Sequence, residues 1–378
     1  MKRQFNPTIK GGLFIASLFI AQTTMANTFS SRIETKAGYD SNPYRLSDQF
    51  SIKGADFLDY QFKAKLKFYD DFSASANISL QDYNSSSNWA DNQTISAALR
   101  YKTGKFSKRK GISLAYKQKD KTYVSRLKGS TTQHSDQSLD DRYNYQQISA
   151  NSFMNFKLIK RVYNKFDIDI TQKDYSDFSQ LNITNFDYLG VKLSDTVLIK
   201  SNRKTQHSLG LSYESRLFDD REKKDSQGNE ITGTNMVFNY INAEYQYHYK
   251  FSKYNHINLE AGYSQRTDNG SGYYNSQKLN SAITSNFRWH KSSNLELNYR
   301  YSNFAYLREP EVSQVSNEED FTSEEKHKIS LANNTRLPKK WLNKAHLLLD
   351  YSYVIADSNR SQYQYQRQII SAGIKLAF

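Results

Sequence analysis

The chain of 378 residues contains no cysteine and only four prolines. Without cysteine there is no disulfide framework, and the lack suits an oxidising compartment in which stray thiols mispair. Pro7 lies in the leader described below, Pro43 and Pro310 fall in connections, and Pro338 sits at a strand end. None interrupts a candidate strand interior, where proline could not donate to the ladder. After Ala26 no apolar run approaches the ~20 residues that a membrane helix needs, and the mean hydropathy is −0.81. A helical membrane protein is excluded. Acids are also the scarcer charge: 38 Asp and Glu face 52 Lys and Arg, a formal charge of +14. Aromatic residues are plentiful, with 29 Tyr and 22 Phe. That is far too many for a disordered chain.

Residues 1–26 have the layout of a secretory signal peptide. Lys2, Arg3 and Lys10 make a positive segment, Gly11 to Ala21 a short apolar run, and Thr24-Met25-Ala26 a cleavage site with small residues at −3 and −1. The run is too short to span a bilayer. Removing these residues takes away three bases and no acid, so the formal charge falls from +14 to +11. Residues 27–378 are then expected to form a single domain.

The last stretch, 364–378 (QYQRQIISAGIKLAF), sets the pattern for the rest. Ile370, Ala372, Ile374, Leu376 and Phe378 share one parity; Arg367, Ser371, Gly373 and Lys375 share the other, with Ile369 alone out of place. Side chains alternate between the faces of a strand, so this segment has one greasy face and one wet face. Apolar residues at alternate positions running into a terminal Phe resemble the final strand of bacterial outer-membrane β-barrels. The resemblance implies that Ile374, Leu376 and Phe378 are the signal read by the barrel assembly machinery, and that the protein lies in outer-membrane lipid. A composition polar on average yet rich in aromatics agrees, because only half of each strand touches lipid.

The alternation recurs along the chain. Ile33-Thr35-Ala37-Tyr39 comes first, then Leu58 to Phe68 in steps of two, Phe72-Ala74-Ala76-Ile78-Leu80, and so on to Leu347-Leu349-Tyr351-Tyr353. About sixteen such segments can be counted. They predict an all-β fold, a transmembrane antiparallel up-and-down β-barrel. Leu66, Leu114, Phe156, Ile283, Leu297 and Leu349 are its expected lipid-facing residues. In 189–199 the apolar face is interrupted by Asp195, where a bulge or a stretch turned to the lumen is expected.

Connections alternate in length. Short basic links at 105–110, 160–164, 201–205, 252–255, 291–294 and 339–344 lie between longer polar ones at 40–55, 125–142, 218–235 and 305–323. Outer-membrane barrels carry short periplasmic turns and long outward loops, which would place both termini in the periplasm. Tyr69, Tyr247, Tyr249, Trp289 and Tyr353 near strand ends suit the interfacial girdles.

No enzyme constellation is present. The seven His form no H-x-x-x-H or H-E-x-x-H site, and His134 with Asp136, Asp140 and Asp141 lies in a polar loop of ordinary solvated composition. No catalysis, metal or cofactor is expected, and no nucleic-acid partner. The informative residues are bases on the parity opposite the apolar one: Lys63, Lys65, Lys67, Arg100, Lys117, Lys119, Lys121, Arg288, Arg300 and Arg367 among them. Inward acids are fewer (Asp59, Asp167, Asp169, Glu214, Glu244, Glu260, Glu296, Asp350). A closed sheet of ~16 strands leaves an aqueous lumen, and cations along it lower the entry barrier for anions. The two Lys triplets are the expected anion track. Tyr143-Asn144-Tyr145-Gln146-Gln147 and Tyr363-Gln364-Tyr365-Gln366 place aromatic faces beside amides, a combination that can stack on sugar rings.

Residues 37–46, AGYDSNPYRL, resemble the opening of β-barrel porins of which some accompany exopolysaccharide operons. The resemblance implies a conduit exporting an exopolysaccharide, with a separate periplasmic export partner, and the basic lumen makes an acidic polymer the expected cargo. A diffusion porin for small anions and a surface assembly or attachment barrel are the alternatives. Deleting Phe378 is expected to slow insertion, measured as the rate at which heat-modifiable, folded protein accumulates on gels; an unchanged rate would remove the assembly signal.

Overall fold

The computed structural model describes residues 28–378 apart from 48, 51–52, 85–89, 123–132, 135–136, 139–140, 177–185, 308–322 and 339–343, and gives the backbone alone at 133–134 and 137–138. The predicted leader and most of three long connections lie outside the described residues, as does the side chain of His134.

Among the described residues sixteen strands close into one antiparallel barrel, each hydrogen-bonded to its neighbours in chain order. The first half comprises β1 Thr28–Asp40, β2 Ala55–Lys67, β3 Phe72–Tyr83, β4 Asn92–Thr103, β5 Lys110–Lys121, β6 Tyr145–Ile159, β7 Val162–Tyr175 and β8 Tyr188–Lys200. The second comprises β9 Thr205–Phe218, β10 Val237–Lys250, β11 His256–Asp268, β12 Ser276–His290, β13 Ser293–Tyr306, β14 Glu324–Arg336, β15 Ala345–Ser358 and β16 Tyr365–Ala377. Strands of 12 to 15 residues exceed the ~9–11 needed to cross a bilayer. One end carries the short turns, such as 68–71, 160–161 and 291–292, together with the barrel's outer strand ends at Thr28 and Ala377; the other carries the longer loops.

The two faces separate as the alternation requires. Leu114, Phe156, Ile283, Leu297 and Leu349 are exposed on the outward parity. Leu66 shares that parity but is 2% exposed, in a buried outer patch with Ala64, Ala74 and Ala76. Asp195 departs from expectation. β8 pairs with β7 and β9 without interruption, so there is no bulge, and Asp195 stays outward and exposed between Phe166 and Leu211. The register irregularities fall instead at Lys157/Ile159 and Arg288/His290, beside short turns.

Inward aromatic and apolar residues gather at the long-loop end. Phe57, Tyr83, Ala55 and Ala90 form a buried cluster with Tyr44 and Ile369 against it. This accounts for Ile369 breaking the pattern of the last strand: it packs a loop onto the inner wall. A second cluster joins Phe218 and Phe238 to Met236, Tyr273 and Tyr274.

Closure is made by β1 against β16, from Arg32 opposite Ala377 to Asp40 opposite Ile369. Asp40 is fully buried. The Arg367 guanidinium donates to both of its oxygens, Tyr83 Oη donates at 2.9 Å, and the Asn42 amide N–H at 3.0 Å. Asn42 in turn donates to the carbonyls of Leu46 and Gln366, so the 40–46 segment is pinned across the seam. Lower down, Lys36 bonds Glu34 at 2.9 Å and Asp350, two strands away, at 2.8 Å. It lies over Gly373 of β16, where a Cβ would run into Thr35 O and the Lys36 chain; glycine keeps that path open.

Two outcomes are expected. Leu297→Arg should destabilise the barrel by ~2–4 kcal/mol, read as a lower urea midpoint. Arg367→Met should cost ~3–5 kcal/mol, because it strands a buried carboxylate, and the pair Asp40→Asn with Arg367→Met should recover much of that loss. Equal midpoints for Arg367→Met and the parent would show the seam pair to be dispensable.

Candidate functional site: the lumen

On β2–β5 the inward positions are strongly biased. β2 presents Asp59, Gln61, Lys63, Lys65 and Lys67; β3 presents Ser73, Ser75, Asn77 and Ser79. β4 contributes Thr94, Ser96, Ala98, Arg100 and Lys102, and β5 Ser113, Ala115, Lys117, Lys119 and Lys121. Register fixes how the predicted bases lie. Lys63, Asn77, Ser96 and Lys117 share one row, as do Lys67, Ser73 and Arg100. From the Lys63–Lys117 row the triplets diverge: Lys65 and Lys67 run toward the short turns, Lys119 and Lys121 toward the loops. They therefore form a diagonal ramp from one mouth to the other, floored by small serine and asparagine side chains. A recess lined by Arg32, Lys63, Lys65, Lys117, Asn77 and Gln147 opens on this wall.

Among the described residues no carboxylate lies within ion-pair distance of Lys63, Lys65, Lys67, Arg100, Lys117 or Lys119. Elsewhere several inward charges are compensated. Asp167 pairs with Lys165 at 2.6 Å, Glu214 with Arg216 at 2.5 Å, and Asp350 with Lys36. The wall of β10–β14 is mixed: Glu244 and Glu260 share a recess with Lys278, Arg300, Lys326 and Lys328.

The remaining three predicted bases fall apart from the ramp. Arg367 is held by Asp40 at the seam and is a structural cation. Arg288 curls back onto the Lys291 carbonyl and stacks over the Tyr254 ring at 4.0 Å, so it caps a short turn. There Lys253 and Arg288 also hold the Tyr254 phenol below its usual pKa. Arg300 faces the lumen on the far wall, directly opposite Lys328.

The sugar-stacking segments divide. Tyr145 and Gln147 point inward on β6 beside the lysines, whereas Tyr143 stacks on Phe186 at the loop end. Tyr365 is buried against Val354 and Ala356, and Gln366 accepts a hydrogen bond from Tyr353, so the second segment builds the wall. What reasoning from the sequence missed is an inner arc of cations on rings. Lys173 sits against Tyr145, Arg216 lies over Tyr188 at 5.1 Å and Tyr240 at 4.4 Å, and Arg266 over Phe238 at 4.8 Å. Parity places each residue inward; only cross-strand register brings them together.

No protein-family model matches the sequence, and neither does any curated protein sequence. Several solved structures are similar to the chain. A bacterial polysaccharide outer membrane secretin is 8% identical over 93% of this chain and 99% of its own, with a TM-score of 0.44. An anion-selective porin from Comamonas acidovorans is 12% identical over 93% and 99%, TM-score 0.44. OprB of Pseudomonas putida is 9% identical over 96% and 97%, TM-score 0.48.

Proposed function

We propose that the chain is a passive, anion-selective conduit of the bacterial outer membrane that exports an acidic exopolysaccharide. The observation that carries this reading is the ramp on β2–β5, whose bases run from mouth to mouth; Lys63, Lys65, Lys67, Arg100, Lys117 and Lys119 have no carboxylate within ion-pair distance among the described residues. In a water-filled lumen such a wall lowers the barrier for anions and raises it for cations. Spacing the cations along the path, with hydroxyl side chains between them, gives a polyanion successive weak holds, so it can enter and still leave. The short-turn end faces the periplasm on this reading, where a separate export partner would deliver the polymer, and the barrel assembly machinery inserts the chain. A diffusion porin for small anions is the second reading, favoured by Glu244 and Glu260 on the far wall, which repel a chain of charges more than a single ion able to hug the ramp.

In planar bilayers under a potassium chloride gradient, the purified barrel should prefer chloride. Fields of exposed charge persist over ~10 Å at 0.1 M salt. Changing Lys63, Lys65, Lys67, Lys117, Lys119 and Lys121 together to Gln should lower that preference several-fold and leave heat-modifiable migration intact. Cation preference in the parent, or selectivity untouched by the six changes, would overturn the charged-ramp reading. Vesicles carrying the barrel should release an enclosed long-chain polyuronate; retention of the polymer with free passage of acetate would favour the diffusion porin.

A further inference from the structure

On the inner wall where β5 to β8 meet, Lys173 Nζ lies 3.9 Å from the centre of the Tyr145 ring, 4.6 Å from that of Tyr175 and 6.0 Å from that of Tyr188. Lys117 Nζ approaches the same Tyr145 ring at 5.7 Å. Register accounts for the convergence. Lys117, Gln147, Lys173 and Tyr188 occupy one row across four strands, and Lys119, Tyr145 and Tyr175 occupy the adjacent inward row toward the loops. All seven are inward and, for the most part, only partly buried, so the lumen reaches them.

Three features of this cluster are not explained by holding the wall together. Lys117, Lys119 and Lys173 gather with no carboxylate within ion-pair distance among the described residues. The Gln147 side-chain amide, set between Lys117 and Lys173, makes no hydrogen bond among the described residues. The rings supply faces with which the ammonium groups interact, yet a ring quadrupole does not cancel a full positive charge. The arrangement differs from that of Arg216 nearby, which lies over Tyr188 and Tyr240 but has Glu214 at 2.5 Å.

We infer that this cluster is a saturable subsite for one carboxylate-bearing pyranose unit of an acidic glycan. A uronate offers a carboxylate at its ring edge, an apolar C–H face and hydroxyls that both donate and accept. The lysines take the carboxylate, a tyrosine face takes the C–H face, and the Gln147 amide takes hydroxyls. A few placed polar groups among aromatic walls are the usual make-up of a small-ligand site. The inference deepens the export reading and rests on it for the identity of the cargo, but site and selectivity can fail separately.

The test is single-channel recording on the full-length barrel. Oligogalacturonate of a few units should block the current in discrete, saturable events; a neutral malto-oligosaccharide of equal length should block much less, and acetate should produce no events. Tyr145→Leu, which changes no charge, should shorten the block roughly tenfold while the chloride-to-potassium ratio stays within about twofold. If Tyr145→Leu does not fold, Lys173→Gln serves for the block lifetime. Chloride preference without oligogalacturonate block overturns the subsite and leaves the channel reading standing. Block that survives both substitutions, or equal block by the neutral sugar, also overturns it. Specific block in a barrel that prefers potassium would sustain the subsite and sink the anion-conduit reading.

Discussion

In hydrocarbon every backbone N–H and C=O must find a partner within the protein, and a sheet meets that demand only by having no edge. Here the demand is met between β1 and β16. Everything else is downstream of that pairing. Once the sheet is closed, parity alone decides which residues face outward and which face the lumen. Charged groups can then sit anywhere along a strand, provided they point to the inner face. Inner side chains also tie the seam, through Asp40–Arg367 and the reach of Lys36 across Gly373 to Asp350.

Sixteen strands enclose more space than their inward side chains fill, and this wall uses the surplus unevenly. Row neighbours two strands apart, such as Lys67 and Arg100, have backbones about 10 Å apart. Two unit charges at that distance in water repel by only about 0.4 kcal/mol. A basic wall of this kind is cheap while it stays wet, so folding does not demand that its cations be neutralised. Buried Asp40 is the contrary case, where desolvation makes a partner obligatory. Solvation thus decides where a partner is obligatory. It sorts Arg367 into the architecture and Lys63 into the lumen, although the two are alike in sequence pattern.

Much of this was legible beforehand, and the part that was not has definite causes. Alternation alone locates all sixteen strands and the inward side of every predicted lysine, because a period of two is a local property. It misleads at Ile369, Phe57, Phe218 and Phe238, which are inward but apolar: near the loop end the inner wall packs against loops, and the rule that inward means polar lapses there. Asp195 misleads the other way, an outward carboxylate in an unbroken ladder. The partner of Arg367 lies 327 positions away and the ring cage of Lys173 draws on three strands. Such contacts depend on register, which no single strand's pattern encodes.

The latch at the seam also has a bearing on time. Asp40 is on the first strand and Arg367 on the last, 327 positions apart, so the pair joins the two ends of a fourteen-strand span. Contacts of that range are slow to make and are rewarded last. Away from Arg367 the Asp40 carboxylate would be buried without its cation, which disfavours docking of the first strand against any other edge. The energetic cost of burying that acid is thus offset only at the strand that carries its arginine, so the pair favours closure of β1 on β16 over closure on any other strand.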